Sequence, residues 1–168
     1  MFQTGDYVLH GSDGICTVLG LCASPMGDGG TYYLLEPVEG PRGSRIYTPT
    51  ENGRVKMRRI MTRAEADALI DRIPSITALE IPVEKHRKET YRNAMLTCDP
   101  VEYVRIIKTV YRRRESLANT KRRLSESDTT YDRSAKQCLY RELSLSLGVA
   151  YEKVEEFLTA EIERRLEA

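Results

Sequence analysis

Apolar and polar positions divide this chain into two regimes, with the change near residue 61. Up to Ile60, short runs at Tyr7–Leu9, Ile15–Cys22, Tyr32–Glu36, Arg45–Thr48 and Val55–Ile60 are rich in β-branched, aromatic and apolar residues, which predicts five strands. Between them "GSDG", "SPMGDGG", "EGPRG" and "TENG" supply the glycines and Asp/Asn that tight turns require. Five short strands in the first 60 residues predict a small, strongly bent sheet, a Tudor/SH3-like β-barrel. Such a domain is marginal alone, because a chain of about 60 residues buries only about 60% of its unfolded surface.

After Met61 the pattern turns helical. Thr62-Arg-Ala-Glu65, Asp99-Pro-Val-Glu102 and Ser125-Glu-Ser-Asp128 each place a capping oxygen three residues ahead of a carboxylate, which marks helix starts. Pro100 suits a first helical position. A helix is predicted from about Glu84 to Leu96. The next, from Pro100, carries Tyr103, Val104, Ile107, Val110 and Tyr111 as a buried stripe. Tyr131, Ala135, Cys138, Leu139, Leu143 and Leu147 repeat that spacing, Gly148 stops the helix, and Val154, Phe157, Leu158, Ile162 and Leu166 begin another stripe. "IPSITALEIP", with Pro74 and Pro82, interrupts helicity and is the expected hinge. The expected class is α+β: a barrel domain at 1–61, a linker helix and Pro-containing hinge at 62–83, and an all-α helical bundle at 84–168 with an acidic carboxyl-terminal helix.

Composition and charge narrow the function. No apolar run approaches the roughly 20 residues a spanning helix needs, and "MFQTGDYV" has no charged leader with an apolar stretch, so a soluble, cytoplasmic protein is expected. Cys16, Cys22, Cys98 and Cys138 are scattered and only His10 and His86 offer imidazole, so neither a metal site nor a disulfide framework is expected. The net charge is +1, but it is unevenly spread. Residues 1–60 hold 6 basic and 6 acidic side chains and residues 61–83 hold 2 and 4. Residues 84–141 hold 15 and 8, and residues 142–168 hold 3 and 7. A basic middle and an acidic tail point to one charged face with a partner.

Enzymatic readings fail on inventory. His10 reads as a turn residue satisfied by nearby backbone, and His86 sits among Lys85, Arg87 and Lys88. Neither a P-loop nor a G-x-S-x-G elbow is present, and "GDGG" lies in a hairpin loop with no helix after it. No catalytic residue, cofactor or small-molecule substrate is expected. The basic helices carry more information. A wheel at about 100° per residue places Arg105, Lys108 and Arg112 on one side of their helix, opposite Val104, Ile107 and Tyr111. The preceding helix aligns Lys85, Lys88 and Arg92, with His86 and Arg87 alongside, and Lys121, Arg122 and Arg123 follow in an exposed connection. The low net charge implies about four to six phosphate contacts and modest affinity. Alternatively, such charge is a solvated helix face.

"FQTGDYVLHGSDGICTV", "YYLLEP" and "IYTPTEN", followed by "CDPVEYVRIIKTVYRRR" and "LSESDTTYDRSAKQCLYRELSLSLG", resemble in order the CarD family of bacterial transcription regulators, also called CarD/CdnL, from about Phe2 to Gly148. The resemblance implies that the small domain binds the RNA polymerase β subunit and that the helical domain contacts promoter DNA at the upstream edge of the melted region, changing open-complex lifetime. It implies nucleoid association through polymerase. The polymerase contact would fall on Arg45, Ile46, Tyr47, Thr48 and Pro49, with Tyr33 as a nearby aromatic. The DNA contact would fall on the backbone through the basic residues just named. The family's wedge tryptophan matches about Glu84, and this chain has no Trp. Two rival readings are a module that binds polymerase without DNA, and a Tudor-like RNA- or ribosome-associated protein.

Overall fold

The computed structural model describes residues 1–51 and 54–168, which form two compact units, Met1–Ile60 and Met61–Ala168. Asn52 and Gly53, half of the predicted "TENG" turn, lie outside the described residues.

In the first unit the predicted alternation becomes strands β1 (Tyr7–His10), β2 (Gly14–Ala23), β3 (Thr31–Pro37), β4 (Ile46–Pro49) and β5 (Met57–Arg59). All pair antiparallel in the order β4-β3-β2-β1-β5. Among the described residues β4 and β5 do not pair with one another, so the sheet is open and the expected barrel is not closed. These two strands hold four and three residues and each uses its ladder on one neighbour. The edge strand also begins one residue later than its apolar pattern suggested, leaving Arg45 outside it and taking in Pro49.

One face of the sheet buries Val8, Cys16, Val18, Tyr33 and Leu35, with Phe2, Ile46 and Met57 packed against them. Val8 lies opposite Cys16, Val18 opposite Leu35 and Leu35 opposite Ile46, so the core is assembled from cross-strand pairs. Burial, reinforced by the Asp13 charge, pushes the Cys16 thiol up to about 11, so it serves as a small apolar residue. Between Val18 and Gly20 the register shifts in a bulge, with Gly20 at φ 151°, a value side-chain-bearing residues rarely adopt. In the β2–β3 loop the Asp28 carboxylate accepts hydrogen bonds from the Gly30 amide at 2.8 Å and the Tyr32 hydroxyl at 2.8 Å, so "GDGG" is a pinned turn.

The second unit contains α1 (Arg63–Arg72), α2 (Arg87–Leu96), α3 (Pro100–Leu117), α4 (Glu126–Leu147) and α5 (Val154–Glu167). With the sheet before them, these helices make the chain α+β. Two of the three predicted capping boxes form in full, at Thr62/Glu65 and Ser125/Asp128. At the third, Asp99 accepts from the Val101 amide, while Glu102 turns to Arg105 at 2.9 Å. The predicted helix at Glu84 begins as a 3₁₀ turn, Glu84–His86, before α2. Gly148 ends α4 in the left-handed region, at φ 68°. α3 lies against α4, α2 touches both, and α1 and α5 meet each other and α4. Tyr103, Val104, Ile106 and Val110 of α3 and Ala135, Leu139, Leu143 and Leu147 of α4 are buried.

Two anchors organise this unit. The fully buried Glu142 carboxylate accepts the Met61 amide at 2.8 Å, and the Ser146 hydroxyl donates to the Met61 carbonyl at 2.7 Å, which ties the lead-in of α1 to α4. The Pro-containing segment predicted as a hinge is fastened to α3. Lys108 Nζ donates to the carbonyls of Ile73, of Pro74 at 3.4 Å and of Ile76 at 2.7 Å, and Thr109 Oγ1 accepts the Leu79 amide at 2.8 Å. Among the described residues no helix is long and apolar enough to cross a membrane.

Candidate functional site, a strand edge and a basic helical surface

The β4 edge can be built from its register. The Thr50 amide donates to the Thr31 carbonyl at 3.0 Å, and β4 pairs Thr48 with Tyr33 and Ile46 with Leu35. Alternate residues of an antiparallel strand direct their backbone groups the same way, so Ile46, Thr48 and Thr50 face β3 while Tyr47 and Pro49 face outward. The open edge therefore offers the Tyr47 N–H, the Tyr47 carbonyl and the Pro49 carbonyl. Pro49 has no N–H to offer, which is why a proline fits here without breaking the ladder. Beside the Pro49 end lies an open cleft of about 440 Å³, walled by Phe2, Tyr33, Pro49 and Met57.

The residues expected to meet polymerase divide along these lines. The Tyr47 side chain is 47% exposed. Arg45 is exposed and paired with Glu36 at 2.7 Å. Ile46 packs on the core and Thr48 is buried. Tyr33 is a core residue, its ring edge-on to Phe2 at 5.7 Å and its hydroxyl accepting the Phe2 amide at 3.2 Å, so it contributes a cleft wall and no projecting side chain.

The basic surface differs from the expected ridge. Of Arg105, Lys108 and Arg112, two are occupied within the unit. Lys108 caps the carbonyls after α1, and Arg105 donates to the Thr77 carbonyl at 3.3 Å and pairs with Glu102. The helical period places these cations on one side, but that side is covered by residues 73–79. Burial, and secondarily the Arg112 charge, lowers the Lys108 pKa below its ordinary value. Lys108→Met is expected to cost about 0.5–1.5 kcal/mol of stability, the usual net worth of a hydrogen bond, because the carbonyls it leaves are only part-buried, with no change in nucleic-acid binding. Urea denaturation and fluorescence anisotropy check the two halves.

Arg87 is likewise occupied, by Glu84, Tyr91 and Asp128. Of the residues expected to meet DNA, Lys85, His86, Lys88, Arg92, Arg112, Lys121, Arg122 and Arg123 are exposed with no side-chain partner among the described residues. They belong to the turn before α2, to α2 itself, to the outer side of α3 and to the α3–α4 connection.

Behind them lies a cluster that the sequence reading did not assemble. Asp128, fully buried, accepts from Tyr91 OH at 2.7 Å and Ser125 Oγ at 2.9 Å, and lies 3.0 Å from Arg113 Nε and 3.4 Å from Arg87 Nη1. Burial opposes its ionisation, but the hydrogen bonds from Tyr91 and Ser125 and the Arg87 charge outweigh it and hold the carboxyl below its ordinary 3.8. Burial and the Asp128 charge push the Tyr91 phenol up to about 12, so it stays a donor. The signal was present, because Asp128 falls one turn ahead of Tyr131 and two ahead of Ala135 on the stripe of α4, but its capping role already accounted for an acid there.

His10 is buried with Nδ1 2.9 Å from Asp13 Oδ2, so a carboxylate rather than backbone meets that nitrogen, while Nε2 has no hydrogen-bond partner among the described residues. No group of three or more His, Cys, Asp or Glu side chains among the described residues is placed to hold a metal.

The chain thus presents an open antiparallel sheet whose β4 edge is unpaired among the described residues, followed by a helical unit with exposed cations. Residues 2–61 match the family model of the CarD-like/TRCF RID domain, a span that ends one residue past the first unit. The match covers the first unit only and makes that unit similar to an RNA polymerase-interacting domain. No curated protein matches the chain.

Proposed function

We propose that the chain is a non-enzymatic, CarD-like transcription regulator. Its amino-terminal domain docks on the polymerase β subunit, and the exposed cations of its helical unit rest on the promoter backbone at the upstream edge of the bubble, altering open-complex stability. The supporting observation is the β4 edge, whose outward Tyr47 and Pro49 groups lie in the RID match beside a cleft of mixed polar and apolar lining. A partner strand laid along this edge gains main-chain hydrogen bonds and can place an apolar side chain in the cleft. The DNA arm would be electrostatic and sequence-independent.

The polymerase-only reading is favoured by two observations: Arg87, Arg105 and Lys108 are occupied within the unit, and Glu84 stands where the resembling family carries its wedge tryptophan. Binding of the full chain to purified RNA polymerase, with and without a forked promoter fragment and at low and high salt, separates the two. Tighter binding on the fork, falling steeply with salt, is the expected result. Binding that is indifferent to DNA selects the polymerase-only reading, and loss of polymerase binding altogether would overturn both.

A further inference from the structure

Glu84 is held in an unusual way. Its carboxylate takes Arg87 bidentately, Nε to Oε1 at 2.8 Å and Nη2 to Oε2 at 3.0 Å, and at the same time takes Arg113, Nη2 to Oε1 at 2.9 Å and Nη1 to Oε2 at 3.3 Å. Two guanidiniums thus face one pair of oxygens. The Glu84 side chain is 61% exposed, whereas those of Arg87 and Arg113 are 11% and 28% exposed. A second carboxylate stands behind the pair. From behind, buried Asp128 meets Arg113 Nε and Arg87 Nη1, and Tyr91 OH accepts from Arg87 at 3.0 Å. The two guanidiniums thus lie between an inner, buried carboxylate and an outer, exposed one. Glu84 sits in a three-residue 3₁₀ turn whose next members, Lys85 and His86, are exposed and without side-chain partners among the described residues.

A phosphodiester presents two non-bridging oxygens much as a carboxylate does, and paired guanidiniums recognise both bidentately. We propose that Arg87 and Arg113 form a phosphate-binding fork that Glu84 occupies in the free protein, and that a nucleic-acid backbone phosphate binds there by displacing the Glu84 carboxylate. This rests on the DNA-contact reading and deepens it. Arg87 and Arg113, engaged internally in the free protein, become contacts once the acid swings out. Occupancy by Glu84 weakens nucleic-acid binding in proportion to the small fraction of molecules with the fork open.

The test uses the full chain and four forms: wild type, Glu84→Ala, Glu84→Ala with Arg113→Ala, and Lys88→Ala with Arg92→Ala. Anisotropy titrations of a forked promoter fragment over a salt series read affinity and salt slope. Thermal unfolding in inorganic phosphate against chloride at matched ionic strength reads the fork without DNA. Glu84→Ala is expected to bind the fork about tenfold tighter, with a slope steeper by about 0.9 for one added phosphate contact. Its unfolding temperature should rise in phosphate, and Arg113→Ala should abolish both gains. A folded Glu84→Ala protein with unchanged or weaker DNA binding overturns the proposal. A phosphate response without a DNA response also overturns it, by making the occupant a free anion. The Lys88/Arg92 variant separates the two readings. If it weakens binding while Glu84→Ala changes nothing, the DNA reading stands and the covered fork does not. If it has no effect, the DNA reading fails, and the fork proposal with it.

Discussion

Asp128→Ala is expected to destabilise the helical unit by about 3–5 kcal/mol, the range found when one partner of a buried ion pair is removed. The deletion strands more than a charge. Arg87 and Arg113 lose their inner carboxylate, the Tyr91 hydroxyl, buried in the α2–α4 contact, loses its acceptor at 2.7 Å, and the α4 capping box at Ser125 is undone. Asp128→Asn keeps the shape and an acceptor oxygen, and should fall between wild type and Asp128→Ala in urea denaturation. The pH dependence carries a sign. The folded carboxyl ionises below its ordinary 3.8, so its contribution is fully present above that value and is lost as the pH falls through the lower folded one. Wild type should therefore lose stability in acid more steeply than Asp128→Asn. Parallel acid limbs for the two proteins would show that Asp128 is not ion-paired in solution.

Tyr47→Pro is expected to weaken polymerase binding at least tenfold while leaving the fold in place. Tyr47 directs its N–H away from β3, so the substitution removes a donor from the docking edge without removing a rung of the β4–β3 ladder. Pro49, two residues on and facing the same way, shows that this side of the strand accommodates proline. One lost main-chain hydrogen bond is worth about 0.5–1.5 kcal/mol, and the bulk of the ring where a partner strand must approach adds to that. Tyr47→Ala, which retains the N–H, should cost less. If the order of the two variants is reversed in binding to purified polymerase, docking runs through the tyrosine ring and not through the strand edge.

These expectations locate what the sequence could and could not show. Elements defined by neighbours in the chain were legible: the capping pairs at Thr62 and Ser125, the stop at Gly148, the alternation that builds β1 to β3, and the change of regime near residue 61. Properties set by distant residues were not. Whether five strands close a barrel depends on the pairing of β4 with β5, which no local pattern encodes. The wheel placed Arg105 and Lys108 together correctly, but a wheel does not say what lies over a helix face, and residues 73–79 lie over this one. Asp128 read only as a capping acid and Glu142 carried no signal, because their burial is decided by Tyr91, Arg87, Arg113 and Met61, which come from other parts of the chain. The β4 strand was read to within one residue, yet Tyr33, placed beside it by resemblance, belongs to the core.

An exposed strand is a hazard in a crowded solution, since any other strand can add to it, including that of a second copy. Pro49 limits that hazard. At its position the edge has a carbonyl and no donor, so an incoming strand must bring an N–H to that point and can leave no carbonyl there in need of one. Indiscriminate β-pairing, which needs donors and acceptors in alternation, is interrupted after Tyr47. A partner whose own strand ends or turns at that point is not. One missing hydrogen thus lets the edge stay open without becoming sticky, and sets the register in which a strand can be received.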